Sequence, residues 1–323
     1  MHKSLKDQKH MQRTNELENN PVIKGYDFSK KFNFQEFIES YATTGFQATE
    51  LYKAITILKQ IQKEKIPLYF SFTGNAISSG LREIITYMVK EKKIHTIITT
   101  ASGIEEDVIK HLSTFKLGEF EVTGRSLFEH GIGRIGNIFV PNNRYLYLER
   151  FINKILEETY KENKTTTPYE LIQKIGKHLG KDSYIYWAQK NNIPIYCPGI
   201  MDGSIGDLIY FFKQKNKDFQ IDVTKDHMML INEVLQQEKT SALILGGGIS
   251  KHYNLNAQIF KEGFDYAIYL TTANEYDGSD SGGNQEEAKT WAKIKLNAPT
   301  AKVRADFTIT LPLLIAATKN QEN

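Results

Sequence analysis

The apolar positions change rhythm along the chain. From Phe34 to Gln62 they recur at helical spacing, with Phe34, Phe37, Ile38 and Tyr41 as one set and Leu51, Ile55 and Leu58 as another. TTGFQATE lies between the two sets and breaks them with a glycine. Beyond residue 67, short apolar runs alternate with amphipathic stretches. Leu68–Phe72, His95–Thr100, Ile193–Tyr196, Phe219–Val223, Ser241–Leu245, Phe264–Leu270 and Val303–Ile309 predict strands. A stretch through Met88, and those at Glu105–Leu112, Tyr169–Leu179, Gly206–Phe212, Asp226–Gln237 and Gln285–Ile294, predict helices. Such alternation predicts an α/β fold: a mostly parallel sheet covered by helices on both faces and joined by right-handed crossovers. Residues 113–182 depart from the rhythm. GEFEVTGRSLFEHGIGRIGNIFVPNN predicts an insertion or long loop, and KENKTTTPYE a polar connector. Residues 1–42 form an N-terminal helical extension whose first 20 residues are polar, 43–318 one decorated domain, and 319–323 a tail.

Composition narrows the class. The chain has 323 residues, 40% of them hydrophobic, enough for a large core. Its 41 basic and 38 acidic residues leave a net charge of +3, which argues against nucleic acid as the main partner. Cys197 stands alone, so no intrachain disulfide forms and a reducing compartment is expected. The lysines near the N-terminus have no apolar run behind them, and no stretch reaches the ~20 apolar residues of a membrane span. A cytoplasmic protein off the membrane is the expectation. The eight histidines show no ligand spacing, so no metal is expected.

The candidate chemistry gathers at a few junctions. LILGGGISKH sets Gly246, Gly247 and Gly248 between a strand and a helix, where a backbone without side chains either cradles phosphate or simply turns. Thr73-Gly74-Asn75 and Thr99-Thr100-Ala101-Ser102-Gly103 are similar junctions, the second followed by Glu105 and Glu106, residue types that accept ribose hydroxyls. The densest cluster is YLTTANEYDGSDSGGNQEEAKTWAK, with Glu275, Asp277, Asp280, Glu286 and Glu287. Glu287 and Trp291 share a helix face at a spacing of four, and a carboxylate beside an indole suits an organic cation. The bland alternatives are a solvated loop and a core tryptophan. Asp202 and Asp207 in MDGSIGD form a second acidic pair. Lys293 lies two residues past Trp291, on roughly the opposite side of an ideal helix, unless the helix frays near Ala292.

NEYDGSDSGGNQEEAKTWAKI, LILGGGISKHYNLNAQ, TTASGIEEDVIKHL, GRIGNIFVPNN and YWAQKNNIPIYCPGIMDGSIGD together resemble the deoxyhypusine synthases, over residues 43 to 314. The resemblance implies a Rossmann-like fold and a homotetramer with active sites at subunit interfaces, whose entrance an N-terminal helix can cover. It implies NAD-dependent oxidation of spermidine, release of 1,3-diaminopropane, and transfer of the aminobutyl unit through a lysine imine to a lysine of translation initiation factor 5A. By match to the family's motifs, Lys293 is the nucleophile and His252 the candidate base. Asp207, Asn256, Tyr269, Asp280, Glu287 and Trp291 line the polyamine site. NAD contacts fall on Asn75, Ser78, Thr100, Ala101, Glu105, Glu106, Asp202, Gly246, Gly247, Gly248, Thr272, Ala273, Asp277, Ser279, Ser281 and Asp306. The chain departs from the family pattern at three places: Gly74, where serine is frequent; Ser102, where TTAGG is usual; and Ala292, where W-G-K is usual. A relative of the same chemistry uses putrescine as acceptor and makes homospermidine.

Overall fold

A computed structural model describes Leu17 and residues 19–319. Residues 1–16 and 18 of the extension expected to cover a site therefore lie outside the described residues. The described part runs irregularly to Asn33, which caps a helix at Phe34–Thr44.

Six strands form one parallel sheet: β1 (Leu68–Phe72), β2 (Thr96–Thr99), β3 (Ile195–Tyr196), β4 (Ser241–Leu245), β5 (Tyr266–Leu270) and β6 (Thr300–Val303), in the order β6-β5-β4-β1-β2-β3. This is the expected α/β architecture. Every residue of β1, β2 and β4 is buried, as an apolar run covered on both faces requires. Alternate residues serve opposite layers. Phe70, Phe72, Leu243 and Leu245 pack with the helices Phe46–Glu64, Leu81–Lys90, Ala101–Leu112 and Phe307–Thr318. Tyr69, Ala242, Ile244 and Tyr269 pack with Val223–Gln236 and Gly248–Ala257.

Two properties of the sheet position the site. The strands end level: Phe72 pairs with both Thr99 and Leu245, Leu245 with Leu270, and Leu270 with Val303. The direction of winding reverses between β1 and β4, and ligands of open α/β sheets sit at the carboxyl side of such a reversal.

Several expectations need correction. The strand read at Val303–Ile309 ends at Val303, and Phe307–Thr318 is a helix with Asp306 as its cap, the carboxylate accepting the Thr308 N–H at 2.7 Å. Phe219–Val223 supplies only Gln220–Ile221, paired with Thr165–Thr166 away from the main sheet. The glycine-rich stretch read as an insertion or long loop is no loop: it folds into a three-stranded ribbon (Lys116–Leu117, Ile132–Ile135, Ile138–Pro141) with the helix Gly124–Glu129. The helix Arg144–Glu162 follows it unforeseen.

Candidate active site

The helix expected to carry Lys293 stops early. It spans Gln285–Thr290, begun by Asn284, whose side chain accepts the Glu287 N–H at 2.9 Å. Trp291 closes it, and Ala292 turns left-handed at φ 53°. The Lys293 N–H still donates to Ala288 (3.0 Å), while its carbonyl accepts from Phe264 (3.1 Å), just ahead of β5. The turn at Ala292 removes the helical-spacing objection: Lys293 leaves the helix and returns to the face of Trp291. Its Nζ lies 3.4 Å from His252 Nε2.

His252 comes from the helix Gly248–Ala257, with Asn256 one turn on. These residues line a cavity of about 360 Å³ together with Tyr269, Asp280, Glu287, Trp291 and Lys293. Trp291 is 63% exposed, which rules out the core-aromatic reading. Two polar atoms in the wall, Tyr269 Oη and Asp280 Oδ2, are buried without a hydrogen-bond partner among the described residues. Each is open to an N–H group.

Lys251 was not singled out from the sequence. It is 2% exposed, donates to the carbonyls of Asp280 and Gly283, and places Nζ 4.9 Å from the Tyr269 ring centroid. Burial holds its pKa below the ordinary lysine value. It ties the acidic loop to the helix that carries His252. A lysine next to a histidine gives no sign in the sequence of being buried.

The cofactor candidates sit at the carboxyl edge of the sheet. Gly246 and Gly248 have φ of 74° and 65°, values suited to glycine. At Gly247 the demand is room, since a Cβ there would lie 2.4 Å from Ser281 Cα. Ser281 Oγ accepts the Gly248 N–H at 3.0 Å, so the loop that holds Thr272, Ala273, Asp277, Ser279 and Ser281 packs directly on the glycine turn. Asn75, Thr100, Ala101 and Asp306 follow β1, β2 and β6. The helices Ala101–Leu112 and Gly248–Ala257 both start here, and neither has a side-chain cap among the described residues. Two such amino termini at one crevice fit a pyrophosphate.

A larger groove of about 1460 Å³ lies at the amino ends of the strands, and none of the candidate residues line it.

The sequence model of the deoxyhypusine synthase family matches residues 36–318. The chain belongs to the deoxyhypusine synthase family. It is thus a transferase of hypusine biosynthesis. It is 45% identical to a "probable deoxyhypusine synthase" of Methanocaldococcus jannaschii, covering 91% of this chain and 95% of that one. It is 42% identical to the deoxyhypusine synthase of Senecio vernalis, over 92% and 88%. A crystal structure of a deoxyhypusine synthase candidate from Entamoeba histolytica has the same fold, with a TM-score of 0.63 and 25% identity over 91% of this chain and 96% of that one.

Several residues matched to deoxyhypusine synthase motifs lie apart from the cavity. Asp207 is exposed in the first turn of the helix Ser204–Lys215, after the edge strand β3, on the opposite wing of the sheet from Lys293. Asp202 lies beside it, and both raise the proton affinity of Glu105. Glu105, Glu106 and Asp107 are three consecutive buried acids, each facing a different partner. Glu105 accepts the Ile205 N–H at 2.7 Å and caps the helix of Asp207. Glu106 accepts the Ser78 hydroxyl beneath the crevice. Asp107 pairs with Arg82.

Burial, above all, pushes Glu105 up to about 7 and Glu106 up to about 8. A carboxyl group whose folded pKa exceeds its unfolded value binds its proton more tightly in the native state. Its contribution to stability is therefore full below about 4.5 and is lost as pH rises through the folded values. The thermal midpoint should fall between about pH 4.5 and pH 8 and level off above, and Glu106→Gln should flatten that slope. An unchanged slope in Glu106→Gln would assign it to other groups.

Ala292 is the third departure from the family pattern, and its left-handed backbone explains the usual glycine. An L-residue there costs about 1–2 kcal/mol. Ala292→Gly is expected to stabilise the chain by about 1 kcal/mol in chemical denaturation. A loss of stability would mean that the turn tolerates alanine freely.

Proposed function

We propose that the chain uses NAD to transfer the aminobutyl group of spermidine to a lysine of translation initiation factor 5A, through an imine on Lys293. One observation carries this reading: an amine 3.4 Å from an imidazole, in a cavity walled by Asp280, Glu287 and an exposed tryptophan. Spermidine is a flexible polycation. Carboxylates fix its register by charge-assisted hydrogen bonds, and the indole face attracts its ammonium groups. Asp280 Oδ2 and Tyr269 Oη supply acceptors already withdrawn from water.

NAD, when bound, supplies the hydride acceptor and later the hydride donor. The crevice at Gly246–Gly248, Asn75, Thr100 and Ala101 is the place for it. Ser78 and Glu106 shape that crevice from below, Asp306 follows β6 at the same edge, and the buried Glu105 braces the turn after Asp202. His252 takes the proton that the substrate nitrogen must lose. The Lys293 amine then adds to the carbon of the oxidised substrate's C=N bond and expels 1,3-diaminopropane, leaving the four-carbon unit as an enzyme imine. The acceptor lysine displaces Lys293 in the same way. Asp207 joins this chemistry only from a second copy of the chain, which fits a homotetramer with sites between subunits. Met201, Met228, Tyr276 and Trp291 are exposed apolar groups that such an assembly would cover.

The test is product analysis with labelled spermidine and NAD, with and without factor 5A, and with putrescine as competing acceptor. Label on the protein supports the proposal. Label only in homospermidine keeps the Lys293 chemistry and moves the acceptor to a small amine. Trp291→Ala should weaken spermidine binding by about 1 kcal/mol in calorimetry. Unchanged affinity would take the indole out of the site.

A further inference from the structure

Gly74 is the glycine of the turn after β1, yet its backbone is right-handed, with φ −53° and ψ −35°. Conformation does not require glycine there; space does. A Cβ at residue 74 would lie 2.1 Å from Ser102 Oγ and 2.5 Å from Ser102 Cβ. The side chain of Ser102, in the first turn of the helix after β2, fills the gap between the two turns. One hydroxyl-bearing side chain fits in that gap, and here it comes from the β2 side.

The hydrogens there can be counted. Thr100 Oγ1 accepts the Gly74 N–H at 3.1 Å and lies 2.9 Å from Ser102 Oγ. The two hydroxyls bring two hydrogens and share one contact. Whichever donates, the other hydrogen has no acceptor within the described residues. Both side chains are half-buried at the carboxyl ends of β1 and β2, where the uncapped helix Ala101–Leu112 begins. An acceptor suited to that position is an anionic oxygen.

We propose that the Thr100–Ser102 hydroxyl pair donates a hydrogen bond to a phosphate oxygen of the dinucleotide, and that Gly74 and Ser102 are a matched pair. The first half rests on the NAD reading above; the second does not. Two of the chain's three departures from the family pattern are then a single coupled change.

The experiment uses the full chain. NAD affinity is measured by calorimetry, KM and kcat for NAD by turnover, and the thermal midpoint without ligand. Ser102→Ala keeps the Cβ and removes the hydroxyl. It should raise the NAD Kd about tenfold, the size of one hydrogen bond to a charged group, with KM rising more than kcat falls. Gly74→Ala should lower the midpoint, and Gly74→Ala/Ser102→Gly should restore it. An unchanged Kd in Ser102→Ala overturns the donor role. A Gly74→Ala chain as stable as wild type, or a double variant no better than Gly74→Ala, overturns the pairing. If the wild-type chain binds no NAD, the cofactor reading falls with the donor role, and the midpoints still decide the pairing.

Discussion

Lys293→Ala should abolish aminobutyl transfer to every acceptor, by about 10⁴-fold or more, the scale on which removal of a covalent nucleophile acts. NAD affinity should stay near wild type, because Nζ of Lys293 reaches His252 and none of the cofactor candidates. Borohydride should fix labelled spermidine carbon to the wild-type chain and leave the variant unlabelled. Lys293→Arg separates charge from covalency: it keeps a cation beside His252 and loses the nucleophilic amine. If Lys293→Arg transfers at the wild-type rate, the lysine acts by charge alone and the imine is wrong. If Lys293→Ala does so, the residue has no part in the reaction.

The second large effect concerns stability. Arg82 and Asp107 are 4% and 0% exposed and meet at 2.6 Å. Asp107 also accepts the Ser183 hydroxyl at 2.5 Å and the Ile185 N–H at 3.3 Å, while Arg82 reaches Asp182 at 3.2 Å. This network ties the helices Leu81–Lys90, Ala101–Leu112 and Tyr184–Asn191 together behind the cofactor edge. Arg82→Met would leave the Asp107 carboxylate buried with its hydroxyl and amide donors but without its cation. The expected cost is about 3–5 kcal/mol, read from the urea midpoint at unchanged slope. Replacing both residues by apolar ones should recover most of it, because the cost arises from the stranded charge. A loss below about 1 kcal/mol for Arg82→Met would show that Asp107 takes up a proton or water without strain.

The parts of the fold that were legible carry one kind of information at a time. β1 and β4 read correctly to the residue because LYFSF and SALIL are buried on both faces and end at polar or glycine turns. Phe307–Thr318 misled because it is apolar on both faces: Phe307, Leu311, Leu314 and Ile315 are buried, but Ile309 on the exposed side is apolar too, so the sequence shows no helical stripe, while Val303, Ala305, Phe307 and Ile309 alternate like a strand. The correct signal was local: Asp306 two residues before Thr308, as a helix cap. Arg144–Glu162 had its stripe in plain view at Leu148, Ile152, Ile155 and Leu156. The glycine-rich run just ahead of it masks that stripe. Within the site, motif resemblance pointed to Lys293, His252 and the acids, but spacing alone set Lys293 on the wrong face. A left-handed alanine is invisible to periodicity. So is the burial of Lys251, which depends on where the acidic loop lands.

The strand order also bears on how the chain is made. One edge of β1 pairs with β2 soon after both leave the ribosome. The other edge awaits β4, and Leu68 and Ser241 are 173 residues apart. At cellular synthesis speeds that interval is roughly 10–35 s. For that time a strand that ends up wholly buried near the centre of the sheet has an open side. The nascent chain is thus most exposed to aggregation before its glycine turn is synthesised, and chaperone dependence should concentrate in that window.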